Sequence, residues 1–392
     1  MRGERDTDRT DPDRTDSVRT MKLTGVDHSP MGDRTHLDRL DAVLEDRDLE
    51  AIWVARSNSF AWLTHGSNVV DVGSEVGVAA AGYDGSSLVV VTANNERQRF
   101  REEELSEDVR VEAFDWWKGS LAEAVAERSP TPAAADFDVP GLRRVDVSSL
   151  RQPLTTADVE LAREIGETAA DAVESTCREL TPETTEREAS ALLHRRLVDR
   201  GFTVRCVLIG GAERARKHRH VTPQPTPLGQ YAVVTTGVER YGLFDSITRI
   251  VGFDPPEWLT ERHAVASRVH ATALSATRSV GRAGGAAREV FDAIRHAYDE
   301  LGYPDEWRNH HQGGAAGFAM REWIASPESH ATVRLPMTFA WNPTLPGAKS
   351  EETVLVTERG CEVLTTTGEW PTSGFEAVGF DTEIALSDVL VR

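Results

Sequence analysis

Lysine is almost missing from this chain. Lys22, Lys118, Lys217 and Lys349 are the four among 44 basic residues, and 64 carboxylates oppose them. The net charge is −20. Such a surface lacks the basic footprint that nucleic-acid binding requires, so no nucleic-acid partner is expected. An acidic surface with arginine in place of lysine fits a halophilic, acidic proteome. At 1 M salt the Debye length is about 3 Å and the self-repulsion is screened. Cysteine is also scarce. Cys177, Cys206 and Cys361 are odd in number, far apart and never in CxxC spacing. A disulfide framework and a zinc knuckle are excluded, and each cysteine reads as a small core residue. No apolar run approaches the roughly 18–20 residues of a membrane helix. No apolar stretch follows the N-terminal arginines, so no secretory signal and no membrane partner are expected. The chain reads as cytoplasmic.

The 392 residues exceed what one core usually takes, which favours two domains. Residues 1–35 repeat DRTD at Asp8 and Asp13 and hold almost nothing apolar. A segment this polar buries too little surface to offset ordering entropy, and a disordered tail is expected. Residues 36–150 alternate helix and strand. Leu37, Leu40, Val43 and Leu44 have helical spacing. AIWVA (51–55), SLVVVTA (87–93) and VRVEAF (109–114) read as strands, and LAEAVAE (121–127) as a helix. From 151 to 392 a second unit follows. Thr155 with Asp158 and Thr185 with Glu188 have capping-box spacing, and Gly201 suits a helix end. FTVRCVLIG, QYAVVTTG and YGLFDSITRIVGF read as strands. Two helices are expected at about 256–279 and 285–300, and MTFAWNP, ETVLVT and EVLTT close the chain. The fold class is α+β.

Four stretches of this second unit carry unusual polar residues. In ARKHRHVTPQPTPLG, Arg214, Arg216, Lys217 and Arg219 surround His218 and His220. Such a basic knot can hold a carboxylate, and a histidine inside it can move a proton. The alternative is a solvated loop. In YGLFDSITR, Asp245 sits in an otherwise apolar strand. A buried carboxylate needs a cation, a metal or hydrogen bonds, and Arg249 is the structural candidate. NHHQGGAAGF (309–318) sets His310 and His311 before Gln312 and a glycine run. This could be a metal site, a phosphate cradle or a tight turn. In FAWNPTLPGAKSEETVLVT, Asn342 and Glu351 stand at strand ends.

Together these stretches resemble the pita-bread fold of methionine aminopeptidase, Xaa-Pro aminopeptidase, prolidase and creatinase. Residues 36–150 look like the small α/β creatinase-type N-terminal domain, and 151–392 like the pita-bread domain. The resemblance implies a homodimer and a small-molecule or short-peptide substrate. Metal-dependent members use two aspartates, one histidine and two glutamates for two divalent ions. The first aspartate would lie in a DxG turn, which here is Thr235-Thr236-Gly237. The second matches Asp245, at a spacing one residue short of the usual. The ligand histidine falls at Gly314 of Gly313-Gly314-Ala315-Ala316-Gly317, and the first glutamate at Asn342 of WNP. The second glutamate matches Glu351. Two of five ligands remain, and His310 and His311 come too early to be the family histidine. The glycine run reads as the remnant of a structural turn. His218, eleven residues before Gly229, matches a histidine that lines the substrate pocket of peptidase relatives.

These residues imply a hydrolase of a C–N bond in a small amide or short peptide, without the usual dinuclear centre and with no cofactor expected. His218, Asp245, Glu351, His310 and His311 are the catalytic candidates. Asn342, Arg216, His220 and Gln312 are the substrate-binding candidates. One alternative is a metal-dependent Xaa-Pro aminopeptidase holding Mn, Co or Zn on a shifted set of Asp245, Glu351, His310 and His311. The other is a non-catalytic binding protein on the same fold.

Overall fold

The computed structural model describes residues 34–392. The tail read over 1–35 lies outside them, except that Arg34 and Thr35 open the first helix, α1 (Arg34–Arg47). Leu37, Leu40 and Leu44 of α1 turn inward, as their spacing requires. Strand β1 (Ala51–Arg56) and helix α2 (Ser57–Thr64) follow without a turn between them. Then come β2 (Val76–Tyr83), β3 (Leu88–Ala93), a short helical turn α3 (Arg97–Arg99), β4 (Arg110–Phe114), α4 (Leu121–Arg128), β5 (Ala133–Ala135) and β6 (Arg143–Arg144). They form one mixed sheet in the order β4-β3-β2-β1-β5-β6. Its central strands are buried on both faces, which explains the unbroken apolar run of AIWVA.

The remaining chain repeats one plan twice. Helices α5 (Thr156–Glu179) and α6 (Glu186–Asp199) lead into β7 (Thr203–Gly211), the turn α7 (Ala212–Ala215), β8 (Tyr231–Arg240) and β9 (Leu243–Gly252). Helices α8 (Glu257–Arg282) and α9 (Ala287–Glu300) lead into β10 (Gly313–Ala316), β11 (Trp323–Ile324) and β12 (Met337–Trp341). The small ladder β13 (Thr344–Leu345) with β14 (Ala348–Lys349), then β15 (Glu352–Val356) and β16 (Cys361–Val363), complete that half. A hairpin β17 (Thr372–Glu376) and β18 (Glu383–Ser387) precedes β19 (Leu390–Val391). The sheets run β19-β9-β8-β7 and β11-β10-β12-β15-β16. Both capping boxes expected from the sequence close, on Thr155 with Asp158 and on Thr185 with Glu188. Each satisfies two helix-end donors and is worth roughly 1 kcal/mol. Gly166 of α5 allows its helix to meet the residue that follows β16, because a Cβ there would sit 2.7 Å from the Leu364 carbonyl oxygen.

A buried ion pair and a buried hydrogen bond fasten the first sheet to the rest. Arg151 grips Glu322 at 2.6–3.1 Å and donates to Ser59 Oγ at 3.1 Å. His36 of α1 meets Asp158 of α5 at 3.2 Å. A third cluster holds the second unit itself. Arg249 of β9 is fully buried and contacts Glu174 of α5 at 2.9 Å and Glu352 of β15 at 3.0 Å. It also donates to the Thr365 carbonyl at 2.5 Å. Asp245 is not its partner, so the structural pair that the sequence suggested is replaced by two carboxylates from other elements. Arg249→Met leaves those two carboxylates facing each other without a cation. The loss should be about 3–5 kcal/mol. Urea unfolding in molar potassium chloride checks it, and an unchanged midpoint would contradict the role.

Candidate functional site

The site lies where β9 passes β15. The Thr248 amide donates to the Glu351 carbonyl at 3.0 Å, and the Ser246 amide to Thr353 Oγ1 at 2.9 Å. Strand β8 pairs beside β9 with Thr235 opposite Thr248 and Gly237 opposite Ser246. One face of this ladder carries Thr235, Ser246 and Thr248. Thr235 Oγ1 and Thr248 Oγ1 are 2.8 Å apart, and Thr248 donates to Glu351 Oε2 at 2.9 Å. Ser246 Oγ accepts from Arg321 Nη1 at 3.1 Å. Strand alternation sends Asp245, Ile247 and Arg249 to the opposite face.

Asp245 therefore does not join Glu351. Ser246 takes its place on the site face, and the spacing that looked one residue short is restored when counted to Ser246. Asp245 is buried, with Oδ2 unpartnered. Burial pushes its carboxyl up to about 7, with a Thr353 hydroxyl giving partial relief.

Glu351 is buried and doubly engaged. Lys349 Nζ lies 2.7 Å from Oε2, and Arg321 Nη2 lies 3.1 Å from Oε1. Burial alone would raise this carboxyl, but Lys349 and Arg321 bring it down to about 2. Two cations face one carboxylate, so the cluster keeps one positive charge. Neither cation was singled out from the sequence. For Lys349 a signal existed, since it is one of four lysines and sits beside two glutamates. For Arg321 there was none.

His310 and His311 come together with His220. The His220 and His310 Nε2 atoms are 3.0 Å apart, and the His310 and His311 rings stack with centroids 4.5 Å apart. His310 is buried, whereas His220 and His311 keep solvent access. Burial, reinforced by Lys349, lowers His310 to about 3. Burial and then Arg321 lower His311 to about 4, and burial with Lys349 also lowers His220. All three shifts favour the neutral imidazole. Gln312 is buried behind them. It donates to the His310 carbonyl at 2.5 Å and accepts from Tyr298 at 3.1 Å. Asn342 is buried with Oδ1 unpartnered, and its amide donates to the Gln312 carbonyl at 3.0 Å.

His218 is exposed and lines, with Thr235 and Lys349, a cavity of about 20 Å³. The basic knot around it does not survive as a free anion site. Arg214 pairs with Glu186, Lys217 with Glu213 and Arg219 with Glu306. Arg216, expected to bind substrate, instead lies over the Trp258 ring at 5.2 Å. Each cation found a nearer partner within the chain. The glycine run is likewise not a turn. Gly313–Ala316 is strand β10, paired with β11 and β12. A Cβ on Gly314 would lie 2.1 Å from the Trp323 carbonyl oxygen, so only glycine allows the two strands to approach.

Residues 160–358 match the model of metallopeptidase family M24, and the chain belongs to that family, one of hydrolases. It is 26% identical over 242 residues to an Xaa-Pro dipeptidase of Pyrococcus furiosus, covering 59% of this chain and 68% of that one. The fold is that of the prolidase from Pyrococcus horikoshii, with TM-score 0.68, 18% identity and coverage of 85% and 98%. The Xaa-Pro dipeptidase from Bacillus anthracis gives TM-score 0.69, 15% identity and coverage of 92% and 99%. The α+β class with a small N-terminal domain and a pita-bread domain is thus the observed one.

Members of this family normally use divalent metals. The five-ligand dinuclear set does not fit the residues here. Thr235, Ser246 and Asn342 are neutral, and position 314 has no room for an imidazole. Glu351 is already held by two cations, which would repel a divalent ion.

Asp245 gives a pH test. The unfolded chain ionises this group near 3.8, whereas the fold keeps it protonated to about 7. Its contribution is fully present below 3.8 and is lost as pH rises through 7. Asp245→Asn should therefore flatten the fall in stability between pH 4 and 8 and raise the urea midpoint at pH 8. An identical pH profile in the variant would refute the assignment.

Proposed function

We propose that the chain hydrolyses an amide or peptide C–N bond in a small substrate, with Glu351, Lys349 and Arg321 at the centre instead of the family's dinuclear set. One observation carries the reading. The family carboxylate Glu351 is held between an ammonium and a guanidinium, and the trio keeps one buried positive charge. Hydrolysis adds water to the carbonyl carbon and places negative charge on the carbonyl oxygen. The C–N bond then breaks and the nitrogen takes a proton. Lys349 and Arg321 offer fixed positive charge to that oxygen in a desolvated setting, where it counts most. His218 borders the cavity that Lys349 lines and can carry the proton from water to nitrogen. The side-chain amide of Asn342, whose Oδ1 has no partner within the chain, orients the substrate by hydrogen bonds.

Short peptides of the Xaa-Pro type are the first substrates to try, because relatives bear that name. The neutralisation of Glu351 also favours a second reading, a binding protein that retains only the pocket. We further infer a junction near residue 150, a homodimer, and a cytoplasm rich in salt. The last is supported by the charge of −20. Among the described residues no helix is long and apolar enough to cross a membrane.

The test is a substrate panel in molar potassium chloride, comprising Xaa-Pro dipeptides, small amides and guanidino compounds. His218→Ala should lower kcat by roughly 10²–10⁴ with KM little changed. Lys349→Gln should lower kcat by about 10²–10³. If the wild-type chain binds a substrate tightly and releases no product, the binding-protein reading replaces this one. If it neither binds nor cleaves any of them, the proposal is wrong.

A further inference from the structure

We infer that His220, His310 and His311 form a mononuclear site for a transition ion of the zinc class, apart from the family's ligand positions. Among the described residues they are a group whose donor atoms converge, all within 4.8 Å of one another. On a tetrahedral ion with Zn–N near 2.0–2.1 Å, two ligand nitrogens stand about 3.3 Å apart. The His220–His310 pair, at 3.0 Å, is already within a few tenths of that spacing. The wider separations close by rotation of His220 and His311, the two rings with solvent access.

The scaffold behind the cluster is stiff where it needs to be. The His310 carbonyl is fixed by Gln312, and Gln312 by Tyr298. The Tyr298 hydroxyl is in turn set by the Thr344 amide at 3.0 Å and carbonyl at 3.2 Å. His310 Nδ1 is buried with no partner, so the ring is not fully satisfied by the protein. These contacts hold the backbone that carries His310, which limits where its ring can move.

The donor chemistry selects the ion. Three imidazoles with no carboxylate and no thiolate suit zinc, cobalt, nickel or copper, and do not suit magnesium or calcium. Three protein ligands leave a fourth position open. The nearby cluster of Lys349, Arg321 and Glu351 keeps one positive charge, which weakens binding of a dication. The same charge draws an anion to the open position, such as hydroxide or the carboxylate of a small substrate. The competing arrangement is an imidazole–imidazole hydrogen bond, which a 3.0 Å contact also allows.

This inference does not depend on the reaction proposed above, and its test reads metal rather than turnover. Full-length protein is stripped with chelator in molar potassium chloride, titrated with zinc or cobalt(II), and measured for bound metal by elemental mass spectrometry. One ion per chain is expected, with the visible spectrum of four-coordinate cobalt. His311→Asn alters an exposed ring and should leave the fold intact. It should weaken binding, and the His310→Ala/His311→Ala pair should weaken it by more than about 100-fold, beyond the 10–100-fold cost of losing an outer partner. His296→Ala, at an exposed position on α9, should bind as the parent does. Failure of the parent to retain an ion, or retention by the double variant equal to the parent's, would overturn the site. Loss of the ion in Glu351→Gln but not in the histidine variants would place it at the family position, which overturns this site and the proposed catalytic centre together. Bound zinc without any hydrolysis would defeat only the proposed function.

Discussion

A single buried guanidinium ties three elements of this fold together. Arg249 joins α5, β9 and β15 through Glu174 and Glu352, and each of these side chains is removed from solvent. Such a cluster gains little net stability over a well-packed apolar one, because desolvation offsets most of the attraction. Its strength lies in discrimination. Slipping β9 by one residue would expose the charge of Arg249 on the wrong face and strand two carboxylates. The alternation of side chains then fixes everything on the opposite face. Glu351 and Glu352 are neighbours, yet one reaches Lys349 and the other reaches Arg249. Thr248 and Arg249 divide in the same way.

That division leaves the site face of β8 and β9 to a separate polar cluster. Here that face carries hydroxyls and two cations around Glu351. Thr235, Thr248 and Ser246 form a hydrogen-bonded chain ending on Glu351 and Arg321. Alone, Glu351 would be an isolated buried anion, which is costly. Lys349 and Arg321 offset that cost. At Gly314 the close approach of β10 to β11 leaves no space for a ligand side chain.

The layout of elements was legible in the sequence, because it depends on local patterns. Thr155 with Asp158 and Thr185 with Glu188 announce helix starts through spacing alone. AIWVA and ETVLVT announce buried strands through composition. Among the elements that escaped, β2 and the β17–β18 hairpin went unread, and two others had no local pattern. Helix α2 continues directly from a strand, and β10 consists of two glycines and two alanines. Within the site, the error over Asp245 was one residue of register, which sequence spacing could suggest but only strand pairing could correct. The arginine-rich loop misled for another reason. Its charges are neutralised by Glu186, Glu213 and Glu306, and two of these lie far away in sequence.

The histidines of NHHQGGAAGF could not be understood from their own segment. A neighbouring pair is as compatible with a solvated turn as with a ligand set. What changes their meaning is His220, ninety residues earlier, delivered by the loop after α7 to within 3.0 Å of His310. The charge-bearing loop and the glycine strand thus belong to one polar centre. The neutral rings stand on one side of it, and the Lys349–Glu351–Arg321 cluster on the other. The positive cluster favours unprotonated rings, and unprotonated rings avoid adding charge beside buried cations. Each half makes the other cheaper to bury, which is a physical reason for the two to occur together.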